Sequence, residues 1–276
     1  MSSAPPEELY EAYAIRYASV DRPRVENFIG RDLARPDDPH DGPMPLDYYV
    51  WLLRSPLRTI LIDTGFNAAT ALARQRTLLR CPIEALAVLG IAAESITDVV
   101  LTHLHYDHAG NLNKLPAARF HVQDAEMDYA TGRCMCHLPL RHAYAVEDVV
   151  ELVRKVYADR VVFHAGDAQL APGVELRLIG GHTRGMQSVR VRTARGWVVI
   201  ASDASHFYEN FEHARPFPIV YNVADMLSGH RTLLAMADSP AHVIPGHDPQ
   251  VLARYPRLAG DEIGTACVHL APITAS

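Results

Sequence analysis

Four side chains that can bind a metal ion lie within six consecutive residues, in the segment HLHYDH. They are His103, His105, Asp107 and His108. Imidazole nitrogens and a carboxylate oxygen form a ligand set that suits zinc. Without a cation, their mutual repulsion and their desolvation would make such a cluster costly. The segment therefore predicts a metal site.

Three further residues of the same types follow later in the chain. His182, Asp203 and His247 each come directly after a predicted strand. For any one of them alone, an ordinary polar role in the core or on the surface is the commoner explanation. If their strands are parallel neighbours, however, all three loops open on one rim. Seven ligands are too many for one tetrahedral ion and suit two ions that share a bridging ligand.

The elements that must position these residues follow from the hydrophobic pattern. A short apolar strand at residues 96–101 leads directly into the HLHYDH segment. Further strands are predicted at residues 11–19, 47–54, 57–62, 119–123, 174–179, 187–193, 197–202 and 241–244. Helices are predicted at residues 67–79, 82–89, from 125 onward, 146–158 and 225–238. This order predicts an α+β fold, an αββα sandwich of two mixed sheets packed face to face with helices outside.

Length and composition are those of an ordinary globular chain. The sequence has 276 residues, of which 49% are hydrophobic and 21% charged, which excludes disordered and fibrous classes. We expect a single domain over residues 1–276. Residues 1–43 would form an N-terminal extension with the first strand, residues of about 44–250 the core, and the remainder a short C-terminal tail.

The charge balance argues against nucleic acid and membrane partners. There are 26 basic and 32 acidic residues, a net charge of −6, without a basic patch that a polyanion would need. The N-terminus has no basic segment followed by an apolar run, so it does not resemble a signal peptide. The apolar runs are of strand length, well below the ~20 residues of a membrane helix. Four cysteines make no disulfide or zinc pattern, and we expect a cytoplasmic protein.

The same metal-binding residues carry a family resemblance. The segment HLHYDH matches the HxHxDH signature of the metallo-β-lactamase superfamily, and the likeness continues through Asp63 before it and through His182, Asp203 and His247 after it. This resemblance implies the metallo-β-lactamase fold and two divalent ions, with zinc favoured over manganese, iron or cobalt. It implies that the first ion takes His103, His105 and His182, that the second takes Asp107, His108 and His247, that Asp203 bridges them, and that Asp63 orients a ligand histidine.

Within the superfamily the chain resembles N-acyl homoserine lactonases of the quorum-quenching type. The likeness lies in residues 102–111, 202–205, 209–212, 216–217 and 246–248. It implies a hydrolase in which a hydroxide bridging the two metals attacks the carbonyl carbon of a lactone, and Asp107 relays the proton to the leaving oxygen. Those lactonases carry a tyrosine three residues after the bridging aspartate, where this chain has His206. We expect His206, with Tyr221, to contact the oxyanion, and an inert surface histidine is the alternative.

Aromatic residues near these motifs suggest a substrate pocket. Phe66, Phe207, Phe211 and Phe217 are candidates to line it, although placement in the core is an equally open interpretation. The expected partner is a small lactone or ester, and the sequence leaves open whether the chain is a monomer or a homodimer. Two other functions stay open. One is a thioesterase like glyoxalase II, or another cyclic ester or amide hydrolase. The other is a non-catalytic metal-binding module.

Overall fold

Two β-sheets pack against each other in the computed structural model, which describes residues 8–30, 42–258 and 267–270. The first sheet has the order β13-β1-β2-β3-β5-β6-β7, with β4 also paired to β1, and the second has the order β12-β11-β10-β9-β8. The strands are β1 (Glu11–Val20), β2 (Leu46–Arg54), β3 (Thr59–Ile62), β4 (Thr77–Leu78), β5 (Asp98–Val100), β6 (Arg119–Gln123), β7 (Val161–His164), β8 (Ala168–Ala171), β9 (Val174–Leu178), β10 (Gln187–Thr193), β11 (Gly196–Ser202), β12 (Val243–Pro245) and β13 (Cys267–His269).

Strand β2 shows how the layers are held together. Its residues are buried on both faces of the first sheet. Trp51 and Leu53 point into the core between the two sheets. Val50 and Leu52 belong to a second core on the opposite face, where helices cover the sheet. This follows from the two-residue period of a strand. The two mixed sheets with helices outside confirm the predicted αββα sandwich.

The α-helices are mostly short and lie outside the sheets or in the loops. They are α1 (Ala68–Ala73), α2 (Pro82–Ala85), α3 (Asp124–Thr131), α4 (Leu138–Arg141), α5 (Val146–Tyr157), α6 (Tyr208–Glu212), α7 (Val223–Met236) and α8 (Gln250–Arg254). Within the described ranges, none of the helices has both the length and the apolar character needed to cross a membrane. Residues 1–7 and 31–41 of the predicted extension, and most of the predicted tail, lie outside the described ranges.

The prediction of one helix over residues 67–79 is wrong. Helix α1 ends at Ala73, and Gln75 takes a left-handed backbone conformation with φ of 55°. The chain then forms β4, which pairs with Ser19 and Ala18 of β1. Pairing with an existing sheet edge has here overridden the helical preference of the segment, as tertiary contacts often do.

Parallel pairing brings the loops that matter to one rim. In the first sheet β3, β5 and β6 are parallel, so the loops that begin at Asp63 and Leu101 leave from the same edge. In the second sheet β11 and β12 are parallel, and β9 runs in their direction because β10 is antiparallel to both of its neighbours. The loops holding His182, Asp203 and His247 therefore also share one edge, as predicted.

A close backbone contact joins the loops after β3 and β5. The N–H of Gly110 donates to the carbonyl oxygen of Gly65 at 2.7 Å. A Cβ atom at position 110 would lie 2.5 Å from that oxygen and 2.9 Å from Cα of Phe66. Both obstacles are backbone atoms, so they cannot move aside as a flexible side chain would. Only glycine fits at position 110 while this contact is kept.

We expect Gly110→Ala to lower the free energy of unfolding by about 1–3 kcal/mol, the usual cost of overpacking a filled site. Denaturant unfolding measures the change. Gly42→Ala is the matched control, because a Cβ at Gly42 meets nothing within 4 Å. Equal unfolding midpoints for the two variants would contradict the packing argument.

Candidate metal centre

Three imidazoles converge at the shared rim. The possible ligand atoms of His103, His105 and His182 lie within 4.8 Å of one another, and all three residues are buried. The Nε2 atom of His182 is 3.2 Å from Nε2 of His103 and 3.0 Å from Nδ1 of His105. Burial, together with the charge of neighbouring histidines, holds the pKa values of His103 and His105 well below the usual range. The rings are therefore neutral, which is the form that coordinates metal.

A second group lies beside the first. Asp107, His108 and His247 also place their possible ligand atoms within 4.8 Å of one another. Oδ2 of Asp107 is 3.6 Å from Nε2 of His108 and 3.8 Å from Nε2 of His247. The group therefore offers two imidazole nitrogens and one carboxylate to a single point.

Asp203 lies between the two groups. Its Oδ1 is 3.3 Å from Nε2 of His108 and 3.0 Å from Nε2 of His247. Its Oδ2 is 3.4 Å from Nε2 of His182. Burial alone would raise the pKa of the Asp203 carboxyl, but the surrounding histidines, His247 and His108 foremost, hold it well below its usual range. The carboxylate is thus charged and reaches both groups.

The donor set fits divalent cations. Nε2 of His108 and Oδ1 of Asp203 are buried and make no hydrogen bond within the described part of the chain. Buried polar atoms are nearly always satisfied, and these two face the same point of the cluster. A cation between the groups would satisfy both atoms and would separate ring nitrogens that now face one another.

Asp63 fixes the orientation of His108. Its Oδ2 accepts from Nδ1 of His108 at 2.7 Å, which turns Nε2 of that ring toward the centre. Its Oδ1 accepts from the N–H of Thr102 at 2.8 Å, and Oδ2 accepts from the hydroxyl of Ser202 at 3.2 Å. The carboxylate therefore joins the loop after β3 to the strand ends of both sheets.

Backbone carbonyls orient two other rings in the same way. Nδ1 of His182 donates to the carbonyl oxygen of Ile219 at 2.6 Å. Nδ1 of His247 donates to that of Asp47 at 2.9 Å. Each contact fixes the tautomer and leaves Nε2 free to face the centre, an arrangement typical of metal-binding histidines.

Glu126 is an organising residue that the sequence analysis missed. Its buried carboxylate accepts from the N–H groups of Leu104 and Gly185, at 3.0 and 3.1 Å, and from the hydroxyls of Thr183 and Tyr144, at 2.6 and 2.9 Å. It thereby ties the HLHYDH loop to the loop that carries His182. One signal was available in the sequence. Glu126 precedes Tyr129 and Ala130 by three and four residues, which places it on the same buried face of α3.

His206 lies at the centre and not at the surface, so the surface alternative is excluded by its burial. Its Nε2 is 2.9 Å from Oδ2 of Asp203, and its ring stacks on Phe217 with a centroid distance of 3.6 Å. Burial lowers the pKa of His206 to about 3, so the ring is neutral and donates to the carboxylate. With His182 and Asp203 it forms a further group that could hold a metal ion.

A cavity of about 310 Å³ opens over the centre, and its walls differ from the prediction. None of the four predicted phenylalanines lines it. They are instead buried in the protein: Phe66, Phe207, Phe211 and Phe217. Phe66 packs among Tyr17, Tyr48 and Tyr106, so the core interpretation is the correct one. Large apolar rings gain most from full burial.

Tyr221 does not line the cavity either. Its ring is 41% exposed and packs on Tyr129, while its backbone N–H donates to the carbonyl oxygens of Gly181 and His182. The structure therefore does not support the predicted oxyanion contact for this hydroxyl. The walls instead include three arginines that the sequence analysis did not single out: Arg22, Arg74 and Arg76.

Comparison with known proteins identifies a matching protein family and relatives that are named as lactonases and metallo-hydrolases. The sequence profile of the metallo-beta-lactamase superfamily matches residues 44–247. An N-acyl homoserine lactonase of Bacillus cereus is 30% identical over 130 residues, which cover 47% of this chain and 46% of that protein. The match thus spans about half the length of this relative. A probable metallo-hydrolase of Mycobacterium tuberculosis is 26% identical over 235 residues, covering 74% of this chain and 72% of that protein.

Solved structures show the same fold. A quorum-quenching N-acyl homoserine lactone lactonase superposes with a TM-score of 0.71 at 22% identity, covering 88% of this chain and 94% of that one. AidC, described as a dizinc quorum-quenching lactonase, has a TM-score of 0.68 at 18% identity and covers 90% of each chain.

We expect Glu126→Gln to destabilise the protein and to weaken metal binding. A glutamine amide would present N–H groups to donors that now meet carboxylate oxygens, and each buried donor left unsatisfied costs about 1–3 kcal/mol. Thermal unfolding and metal titration measure the two effects. Glu94→Gln, the same substitution at an exposed position, is the control. Unchanged melting and metal affinity in Glu126→Gln would refute the organising role.

Proposed function

The chain belongs to the metallo-beta-lactamase superfamily, and we propose that it is a metal-dependent hydrolase that opens the ring of a small lactone. One observation carries this proposal. Buried histidines and aspartates converge in adjoining groups beneath a cavity of about 310 Å³, which suits a small cyclic ester. The names of the lactonase relatives support the choice of a lactone.

The residues would divide between two divalent ions, zinc in the first instance. His103, His105 and His182 would hold one ion, and Asp107, His108 and His247 the other. Asp203 would contact both, as its distances to the two groups suggest. When bound, such ions polarise a carbonyl group and lower the pKa of water toward about 7.

Asp107 is the carboxylate proposed to move the proton. It lines the cavity and keeps a small exposed surface, in contrast to Asp63, which is fully buried. The hydroxyl of Tyr17 donates to its backbone carbonyl oxygen at 2.9 Å, which fixes the loop beneath it. The carboxylate would accept a proton from the attacking water and deliver it to the ring oxygen as that oxygen leaves.

His206 would act as a positioning residue for Asp203. Its Nε2–H donates to Oδ2 of Asp203, the same oxygen that faces His182. Stacking on Phe217 holds the ring in that orientation. An oxyanion contact by His206, the role expected from its place in the sequence, would have to use the other ring nitrogen.

A substrate panel tests the proposed activity. Metal-replete protein, with its metal content measured, would be assayed by proton release on γ- and δ-lactones, short and long acyl homoserine lactones, an aryl ester and a glutathione thioester. We expect turnover of lactones above the aryl ester and the thioester. Turnover of the thioester alone would assign the chain to the glyoxalase II type of reaction. No turnover with metal bound would favour the non-catalytic module and overturn the proposal.

We expect Asp107→Asn to lower kcat on the best lactone by about 10²–10⁴-fold, the usual contribution of a positioned acid–base group. Metal content is measured on the same sample, because the residue is also a proposed ligand. Asp159→Asn, at an exposed turn, is the control. Retained turnover at unchanged metal content would show that Asp107 does not relay the proton.

A further inference from the structure

The charges on the cavity wall are unevenly distributed. Among the residues that the structure describes, the carboxylates that line the cavity are Asp107 and Asp203, and both belong to the metal centre. The other charged side chains of this described lining are Arg22, Arg74 and Arg76. A molecule bound over the centre therefore has metal ligands on one side and guanidinium groups on another.

Tyr106 anchors two of these guanidinium groups. The guanidinium carbon of Arg74 lies 3.9 Å from the centroid of the Tyr106 ring, and its Nη2 donates to the carbonyl oxygen of Tyr144 at 3.1 Å. Nε of Arg76 donates to the Tyr106 hydroxyl at 3.1 Å. A guanidinium group has five N–H donors, so each arginine is held in place while most of its donors stay available. Tyr106 lies between two proposed ligands, His105 and Asp107, which couples the arginines to the metal centre.

These two arginines lack a close counter-ion. Across the described ranges, neither Arg74 nor Arg76 forms an ion pair with a carboxylate. At longer range Arg76 interacts with the carboxylate of Asp107, which is itself a proposed metal ligand. Asp148 on α5 interacts with Arg74 at longer range, but burial raises the pKa of its carboxyl to about 7 despite that arginine. Arg22 differs, because its Nε lies 3.3 Å from Glu26.

The backbone brings Arg74 and Arg76 together at some cost. Arg74 caps the C-terminal end of α1, and Gln75 between the two arginines has a φ of 55°, which disfavours a residue with a side chain. This turn directs both side chains toward Tyr106. Half-buried cations without a counter-ion are themselves unfavourable, so both features suit a wall that meets an anion.

From this geometry we propose that the substrate carries an anionic group, a carboxylate or a phosphate, which Arg74 and Arg76 bind at the end away from the scissile ester. The planar N–H pairs of arginine match both groups. The inference rests on the proposed function, since it names the class of ester that the same site takes. The cavity of about 310 Å³ suits a compact anionic lactone better than one with a long acyl chain.

Matched substrate pairs test the proposal. The first pair is γ-butyrolactone-γ-carboxylate and its neutral carboxamide. The second is the phosphate ester of γ-hydroxymethyl-γ-butyrolactone and the free alcohol. For the wild type we expect kcat/KM to be about 10- to 100-fold higher for the anionic member of at least one pair, the usual effect of charge-assisted hydrogen bonds. The pair with the larger ratio identifies the anionic group.

Arginine variants assign the preference to the proposed residues. Arg74→Gln and Arg76→Gln should each bring the anionic-to-neutral ratio down toward one, and Arg76→Lys should retain more of it than Arg76→Gln. Arg231→Gln is the matched control, since that exposed arginine contacts Ser228 on α7. Thermal melting establishes that each variant is folded, and if one glutamine variant does not fold, the other and Arg76→Lys decide the outcome.

Equilibrium binding separates this inference from the proposed function. Calorimetry on the metal-loaded protein would compare tetrahydrofuran-carboxylate with its carboxamide, neither of which can be hydrolysed as a lactone. Tighter binding of the carboxylate, lost in Arg76→Gln, would support the anionic site even if no lactone is turned over. Turnover of neutral or long-acyl lactones as fast as anionic ones, with ratios unchanged in the arginine variants, would overturn the anionic site and leave the lactonase proposal standing.

Discussion

The burial of acids and imidazoles at one rim is the constraint on which the rest of the structure depends. Such groups are stable in a low-dielectric interior only when every polar atom has a partner. The chain supplies these partners on the outer side of the centre. Asp63 accepts from Nδ1 of His108, and backbone carbonyl oxygens accept from Nδ1 of His182 and His247. On the inner side, Nε2 of His108 and Oδ1 of Asp203 have no hydrogen-bond partner in the described part of the chain, and a bound cation would satisfy them. The surrounding loops are thus arranged to satisfy the outer side of the centre, and the metal is expected to satisfy the inner side.

This constraint explains why the two sheets meet where they do. The Thr102 hydroxyl, two residues beyond β5, lies 2.9 Å from the Ser202 hydroxyl at the end of β11, and both hydroxyls bond to Asp63. Asp63 and Ser202 adopt left-handed conformations, with φ of 60° and 47°, at a cost of about 1–2 kcal/mol for such a residue. The hydrogen bonds that these turns permit offset that cost. The strain at these two residues therefore lies where β3 and β11 lead into the centre.

Features that depend on neighbouring residues along the chain could be predicted from the sequence. The HLHYDH segment is contiguous, and the order of strands and helices predicted the sandwich. The shared rim followed only on the condition that the strands carrying the later ligands run parallel. Glu126 was missed because its four partners come from three separate segments, which no spacing reveals. The predicted range of helix α1 was too long, because its last residues instead form β4, and the pairing of β4 with β1 is a long-range contact. The placement of the phenylalanines stayed open in the sequence, because an aromatic residue near a motif can face either the cavity or the core, and only the packing of its neighbours decides between them.

The metal ligands and the arginines of the cavity wall lie on different kinds of element. The proposed ligands follow strands of both sheets, so the positions of these strands determine the geometry of the centre. Arg74 and Arg76 follow a short helix and precede a two-residue strand, where the backbone can change without disturbing the sheets. They nevertheless contact Tyr106 inside the metal-binding segment. Changes in this loop can therefore alter the arginine wall of the cavity, while the strands of both sheets keep the proposed ligands in place.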